Sequence, residues 1–514
     1  MKYQAVIDVG SHEISMSIAQ LRQRKPPKLL ERVQRTVPAG SDTYRDGFIS
    51  EAVLRQIVET LSLFRLKVQE YPDCQILATA TSAIREAQNR AFILDQIERA
   101  SGIKVRILSN NEEVGYQLLA LGECSESFRE AIKKPSLVLG LAAGSIQLSI
   151  FEDSHLLTSQ NLRMGSLRIR ALLSELAIHS RDFNQLIREY VSGDLANYRK
   201  FEPRAAEVEN FIIHGSGAGL THLRKLSGLP PTGECRLSRR DFSRVLAMLR
   251  SRSEQSLVME EGISDENASL LLPMALLIDE VFDLCDLDEA LLPDVSLENG
   301  LLMEAAQQLS GRRYLRDPRE DLYSASVELA RRYQTDRLHS EQVARISLEL
   351  FDQTQRLHRL KEEDRVMLQI GSLLHNVGKY ISMQDDDIFS YQIIKSAVIP
   401  GVSDRKLEFL ANLIYYHNGN FTRKPNLQKY LHEEDRLDLM KLLALLSMAN
   451  ALDASHSQKI QKCRLSRDED GSYVLNLYSS EDIMLEMWTL ERHKALFQNV
   501  FGVSLQAKYR EIKA

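Results

Sequence analysis

Apolar and polar positions follow the same pattern in two stretches of the chain. In AVIDVGSHEISMSIAQL an apolar run ends at Asp8 and a turn follows at Gly10-Ser11. Ile14, Met16 and Ile18 then recur at every second residue, which predicts strand, turn, strand. About 134 residues further on, SLVLGLAAGSIQLSIFED repeats the pattern, with a turn at Ala143-Gly144-Ser145 before Ile146, Leu148 and Ile150. The recurrence reads either as a duplicated domain or as two ordinary hairpins. Between the two stretches lie a helical periodicity from Ser50 to about Glu70, a strand at QILATATSA, a helix from about Arg85 to Ser101 and a short strand at KVRILS. Strands alternating with helices predict an α/β layer architecture. Further along, FIIHGSGAGLTHLRKL predicts strand, glycine turn and helix, and LLPDVSLENGLLMEAAQQL predicts strand, loop and a closing helix.

The pattern changes at SGRRYLRDPRED, residues 310 to 321, which is polar and interrupted by a proline. From Leu322 to about Ala454 the spacing is helical, and from Cys463 the stretch CRLSRDEDGSYVLNLYSS alternates about Asp470-Gly471 as a hairpin would, with a helix and a strand after it. The expected divisions are 1–128 and 129–310 for two α/β lobes, 315–460 for a helical domain and 461–514 for a small α+β segment.

Composition narrows the classes. With 514 residues, 44% of them hydrophobic, the chain can bury several cores. A net charge of −6 argues against a general nucleic-acid binder, DNA included, though a local basic patch can still hold a polyanion. Cys74, Cys124, Cys235, Cys285 and Cys463 are scattered and odd in number, so neither a disulfide framework nor a zinc site is expected. The N-terminus turns acidic at Asp8 before a signal-like apolar run develops, and no long uncharged apolar stretch follows. A cytoplasmic protein without a membrane segment is expected.

Three glycine turns follow predicted strands: Gly10-Ser11, Gly144-Ser145 and Gly215-Ser216-Gly217. Glycine lets backbone N–H groups approach phosphate oxygens closely, and Ser11 and Ser145 add hydroxyls; each turn alone is equally well a tight turn. Asp8, at a strand end among apolar residues, suits either a hydrated Mg²⁺ or a turn cap.

The ordered segments DVGSHEISMSIAQ, ATATSAIREA, GIKVRILSNNEEVGYQL, VLGLAAGSIQLSIF, LRMGSLR, HGSGAG and SLENGLL resemble the successive signatures of the exopolyphosphatase and guanosine pentaphosphate phosphohydrolase family. The resemblance spans residues 1 to about 310 and implies a duplicated, actin-like, hexokinase-type ATPase fold of two lobes. It implies Glu112, the first of two adjacent glutamates, as the base that activates water and as a metal ligand with Asp8, and Arg85 as the arginine that grips substrate phosphate. The expected substrates are inorganic polyphosphate or guanosine pentaphosphate, the expected cofactor Mg²⁺ or Mn²⁺, and the expected reaction hydrolysis of a terminal phosphoric anhydride.

Departures from the family pattern point to an impaired or specialised site. Where the family has Asp-(apolar)-Gly-Gly-Gly-Ser-Thr-Glu, this chain has Gly140 through Gln147, so both carboxylates are missing. Gly115 stands in place of an arginine, and His12 and Glu13 replace small polar residues; Glu13 would repel a polyanion if it faced the site. A non-catalytic sensor of polyphosphate or of guanosine tetra- or pentaphosphate is the alternative, and a kinase using the same fold is a third. Arg163, Arg168, Arg170, Arg236, Arg239, Arg240, Arg244, Arg250 and Arg252 form either solvated helix faces or a guanidinium track for a phosphate chain.

The helical part resembles an HD-type metal phosphohydrolase domain through His339, Leu373-Leu374-His375-Asn376 and Asp453. Asn376 replaces the bridging aspartate, so buried, hydrogen-bonded histidines are expected at His339, His375 and His417 rather than a hydrolytic metal centre. This domain is expected to shape a channel for a long substrate or to support a homodimer.

Overall fold

Two sheets of the same plan organise the first 322 residues. In the computed structural model, which describes residues 2–177, 183–215, 217–418, 433–469 and 472–512, the first sheet has strand order β3-β2-β1-β4-β5. Its strands are β1 (Lys2–Val9), β2 (Glu13–Leu21), β3 (Lys28–Thr36), β4 (Gln75–Ala80) and β5 (Val105–Ile107). The first three are antiparallel, and β4 and β5 run parallel to β1. The second sheet, β6 (Ser136–Leu141), β7 (Ile146–Glu152), β8 (His155–Leu162), β9 (Asn210–Gly215), β10 (Cys235–Ser238) and β11 (Glu289–Leu292), has the order β10-β11-β9-β6-β7-β8. Leaving out β10, this is the order and orientation of the first sheet.

The register of the hairpins makes the duplication explicit. Asp8 pairs with Ser15 in the first sheet and Gly140 with Gln147 in the second. In the turns, Gly10 N donates to Glu13 O at 3.0 Å and Ala142 N donates to Ser145 O at 3.1 Å. A β-bulge follows at Ile18/Ala19 and again at Ile150/Phe151. These pairs are all 132 residues apart, so Gly10 corresponds to Ala142 and Glu13 to Ser145. The spacing of about 134 expected from matching Gly10-Ser11 with Gly144-Ser145 is corrected by two residues: the hairpin hydrogen bonds set the equivalence, and the glycines fall at different places in it.

Local sequence explains the elements. In β1 from Gln4 onward and throughout β6 every residue is buried, as in strands covered on both faces. The helix Glu51–Val68 starts where the Ser50 side chain accepts from Val53 N, and buries Val53, Leu54, Ile57, Leu61, Phe64 and Val68. These side chains belong to the first lobe's core with Ile7, Ile14, Met16 and Ile18. The second core gathers Leu137, Leu139, Leu148 and Ile150 with the long helix Asp265–Cys285. The closing helix Leu297–Ser310, expected in the second lobe, returns to the first: Leu297, Leu301 and Leu302 pack with Val6, Ala19 and Leu108.

The chain divides into two compact units, Met1–Leu322 with Val398–Gly401, and Tyr323–Ala397 with Val402–Ala514. The second unit contains the helices Arg337–Gln353, Glu362–Leu374, Asp404–Tyr416 and Glu433–Ala451. The tail falls in this unit too, as β12 (Lys462–Arg467), β13 (Tyr473–Ser479) and β14 (Leu505–Glu511) in one sheet, with the helix Met484–Phe501. Asp470-Gly471, expected as the hairpin turn, lies outside the described residues. Among the described residues no helix is long and apolar enough to cross a membrane.

Candidate phosphate-binding cleft

The ends of β1, β4, β6 and β9 point into one cleft within the first unit. It is lined by Asp8, Gly10, Ser11, His12, Glu13 and Ser15 from the first hairpin, by Thr81 and Ser82 after β4, and by Leu141, Ala142, Ala143 and Ile146 from the second hairpin. Gly215, Gly217 and Ala218 after β9 complete it, with Glu113, Asn267 and Leu297. Four connections thus converge because the two sheets share one plan and face each other at the same strand ends. Ser11, Gly215 and Gly217, expected as substrate-binding residues, line this cleft beside Gly10; Ser216 lies outside the described residues.

Gly144 and Ser145 are drawn into the packing around the loops. A Cβ at Gly144 would collide with the Tyr44 hydroxyl and lie 2.5 Å from Ser82 Oγ. Ser11, Tyr44 and Ser82 form a triangle of hydroxyls at 2.7, 2.8 and 2.9 Å. Arg168 lies 3.9 Å over the Tyr44 ring, donates to Gly144 O at 2.6 Å and reaches Glu86 at 2.7 Å. Ser145 Oγ accepts from Asn161 Nδ2 at 3.3 Å. Tyr44 and Arg168 fasten the first two loops to each other, a role that the sequence does not announce. Their only signals are an aromatic residue in a short helix and one arginine among many.

Of the two adjacent glutamates, Glu113 lines the cleft and Glu112, the one expected there, does not. Glu112 occupies the third position of the helix Asn110–Cys124 and closes a capping box: its N donates to Ser109 Oγ at 3.2 Å, and Ser109 N donates to Glu112 Oε2 at 3.0 Å. Its other oxygen takes the Arg106 guanidinium. Both oxygens are engaged away from the cleft lining, so the structure does not bring Glu112 to the cleft as base or metal ligand. Glu113, turned by about 100° around the helix, lines the cleft. Arg85 also sits behind the lining, where it donates to Leu108 O at 2.6 Å, to Asn110 Oδ1 and to Glu113 Oε2 at 3.2 Å. Its guanidinium holds the start of this helix and Glu113 in place. At Gly115 the backbone of Gly401 would lie 2.6 Å from a Cβ, which leaves no room for the arginine of the family pattern.

Carboxylates crowd the cleft floor. Asp8 is buried, and among the described residues Oδ1 has no hydrogen-bond partner. Burial first, then the charges of Glu298, Glu113 and Glu13, push its carboxyl well above the usual carboxylate range. Glu298 Oε1 accepts from Ser15 Oγ, while its Oε2 has no partner among the described residues. The missing carboxylates are replaced by neutral groups. Gln147 donates to Ser159 Oγ at 2.6 Å and accepts from Asn161 Nδ2 at 3.2 Å. At Gly140 the space beside the backbone holds the His214 ring, whose Nε2 would be 3.0 Å from a Cβ. Burial lowers the His214 pKa to about 4, so the ring is neutral at pH 7. Among the described residues no group of three or more His, Cys, Asp or Glu is arranged to hold a metal ion. The unpartnered Asp8 Oδ1, surrounded by like charges, fits a divalent cation held by one carboxylate, water and substrate phosphate, a common arrangement for Mg²⁺.

The expected guanidinium track is largely taken up in ion pairs. Arg236 meets Glu289, Arg239 Asp283, Arg244 Asp241, Arg250 Asp279, Arg252 Glu260 and Glu261, and Arg170 Glu254.

In the second unit the expected histidines do assemble. His339 Nδ1 is 2.8 Å from Asp453 Oδ2, and its Nε2 is 3.3 Å from His375 Nε2. His375 Nδ1 donates to Ser372 O at 2.7 Å, so its Nε2 is the acceptor from His339. His417 Nδ1 donates to Ile414 O at 2.6 Å, and its Nε2 has no partner among the described residues. Burial lowers the pKa of His375 well below the imidazole range and that of His417 to about 4. The His339 and His375 rings are satisfied by Ser372 O, Asp453 and each other, whereas among the described residues the His417 ring is held by Ile414 O alone.

Two lobes of the same plan meeting at a cleft of glycine turns define the actin-like ATPase fold, here with a helical C-terminal unit. Residues 17–309 match the Ppx/GppA phosphatase family and residues 324–496 match Ppx/GppA phosphatase, domain III. The chain belongs to the Ppx/GppA phosphatase family. It is 22% identical over 474 residues to the guanosine-5'-triphosphate,3'-diphosphate pyrophosphatase of Aeromonas hydrophila, with 91% of this chain and 90% of that protein covered. To the protein of the same name in Vibrio cholerae serotype O1 it is 21% identical over 483 residues, covering 91% and 92%. An exopolyphosphatase structure from Cytophaga hutchinsonii superposes with a TM-score of 0.52 at 21% identity, covering 61% of this chain and 99% of that one.

Proposed function

We propose that the cleft binds the terminal phosphoryl group of inorganic polyphosphate or guanosine pentaphosphate and hydrolyses its phosphoric anhydride bond. The observation that carries this reading is the convergence of four strand-end turns on a floor where Asp8 and Glu113 face the same space. Backbone N–H groups of the turns and the Ser11 hydroxyl would hold phosphate oxygens. Glu113, steadied by Arg85 at 3.2 Å, would orient water and take its proton in place of Glu112. Asp8 would hold Mg²⁺ or Mn²⁺, which supplies charge neutralisation to the transferred phosphoryl group.

A second reading, a non-catalytic binding protein for the same phosphates, is favoured by Gly140 and Gln147, where neutral groups replace the family's two carboxylates. Phosphate release from long-chain polyphosphate and guanosine pentaphosphate, measured with Mg²⁺ or Mn²⁺ beside Glu113→Gln and Glu112→Gln, separates the two. Hydrolysis predicts turnover that falls roughly 10²- to 10⁴-fold in Glu113→Gln and persists in Glu112→Gln. Absence of turnover with retained binding supports the second reading, and loss confined to Glu112→Gln refutes the assignment of Glu113.

A further inference from the structure

The third glycine turn already holds an anion from the protein itself. Glu13 begins β2 and reaches across the cleft to the start of the helix Ala218–Leu226. Ala218 N donates to Glu13 Oε2 at 3.4 Å, and a Cβ on Gly217 would lie 3.0 Å from Glu13 Oε1. Gly217 has φ of +117°, a conformation that brings backbone close to the carboxylate and that side chains disfavour. A helix N-terminus with free N–H groups is an anion seat. The surroundings of this one are built for a ligand rather than for a permanent ion pair. Among the described residues, the buried Asp8 Oδ1 and His12 Nδ1 line the same cleft without hydrogen-bond partners. Glu13 also stands against the like charge of Glu298, partly offset by Arg32, and its own charge acts on Asp8. Its structural counterpart in the other hairpin is Ser145, an uncharged residue of smaller reach.

We propose that Glu13 is a built-in competitor for phosphate: its carboxylate fills the anion seat at Gly217-Ala218, and a phosphoryl group enters that seat only when Glu13 leaves it. The inference rests on the reading of the cleft as a phosphate site. Its consequence is selectivity. A ligand able to reach only the first two turns binds without disturbing Glu13. A polyphosphate that spans the cleft must displace a charged side chain, so it binds less tightly than the turns alone would allow.

The test is calorimetric titration of the full chain with tripolyphosphate and Mg²⁺, comparing wild type, Glu13→Ser and Glu13→Gln, with circular dichroism to check folding. Serine vacates the seat, and glutamine keeps the shape without the charge. Glu13→Ser is expected to bind about tenfold more tightly than wild type, with Glu13→Gln between them, and the gain is expected to shrink as salt rises. Should Glu13→Ser not fold, a tightening of about threefold in Glu13→Gln supports the competitor by itself, and its absence overturns it. Wild-type binding with no tightening in either variant overturns the competitor and leaves the phosphate reading standing. Absence of binding in all three overturns both.

Discussion

Acidification should weaken the second unit through its buried histidines, and His417 allows the size of the effect to be worked out. Burial lowers its pKa from about 6.5 to about 4, and among the described residues its Nε2 has no partner to receive a proton's charge. Above pH 6.5 the ring is neutral in both folded and unfolded chains, so it adds no pH dependence. Between pH 6.5 and 4 the unfolded chain takes up a proton that the folded chain refuses, so stability falls with pH by about 1.4 kcal/mol per unit. Over the whole window the loss is about 3 kcal/mol, a large share of the roughly 5–15 kcal/mol available to a domain. His375, lowered further by burial and by its neighbours His417 and His339, adds a loss of the same sign. The assay is urea unfolding at pH 7 and pH 4.5, followed by the fluorescence of Trp488, the chain's single tryptophan, which lies exposed in this unit. His417→Gln keeps a donor toward Ile414 O but does not titrate. It should be less stable than wild type at pH 7 and lose about 2–3 kcal/mol less between the two pH values. An equal pH loss in wild type and His417→Gln would sink this account of acid sensitivity.

Other perturbations test the remaining contacts. Gly144→Ala drives a methyl into Tyr44 and Ser82 and should cost about 1–3 kcal/mol in thermal unfolding, with Tyr44→Phe in the same chain recovering part of it because the colliding hydroxyl is gone. Asp453→Ala leaves the buried His339 without its partner and should destabilise the second unit by about 3 kcal/mol, read by Trp488 fluorescence in urea. Glu112→Gln weakens the capping box and the Arg106 pair, so it should lower stability by about 1 kcal/mol in thermal unfolding while leaving polyphosphate binding unchanged in calorimetry.

The α/β lobes, the glycine turns and the helical second part were legible along the chain, because apolar periodicity and turn residues are local signals. Ordered motifs over some 300 residues added the family. Folding in three dimensions settled what local signals cannot carry. Whether Glu112 or Glu113 faces the cleft depends on how one helix is rotated, and adjacent helical residues differ by about 100°. The correspondence of Glu13 with Ser145 depends on hairpin register, which glycine positions misjudge by two residues. The return of the helix Leu297–Ser310 to the first lobe was likewise invisible, since an apolar face does not name the sheet it covers. The missing carboxylates at Gly140 and Gln147 were legible as letters. That His214 fills the space at Gly140, and that Gln147 is tied to Ser159 and Asn161, depends on strands brought together only by folding. Arginines rich enough in sequence to suggest a phosphate track are mostly spent on acidic partners up to 84 positions away. Charge is read along the chain, but the field at a site is a sum over neighbours in space.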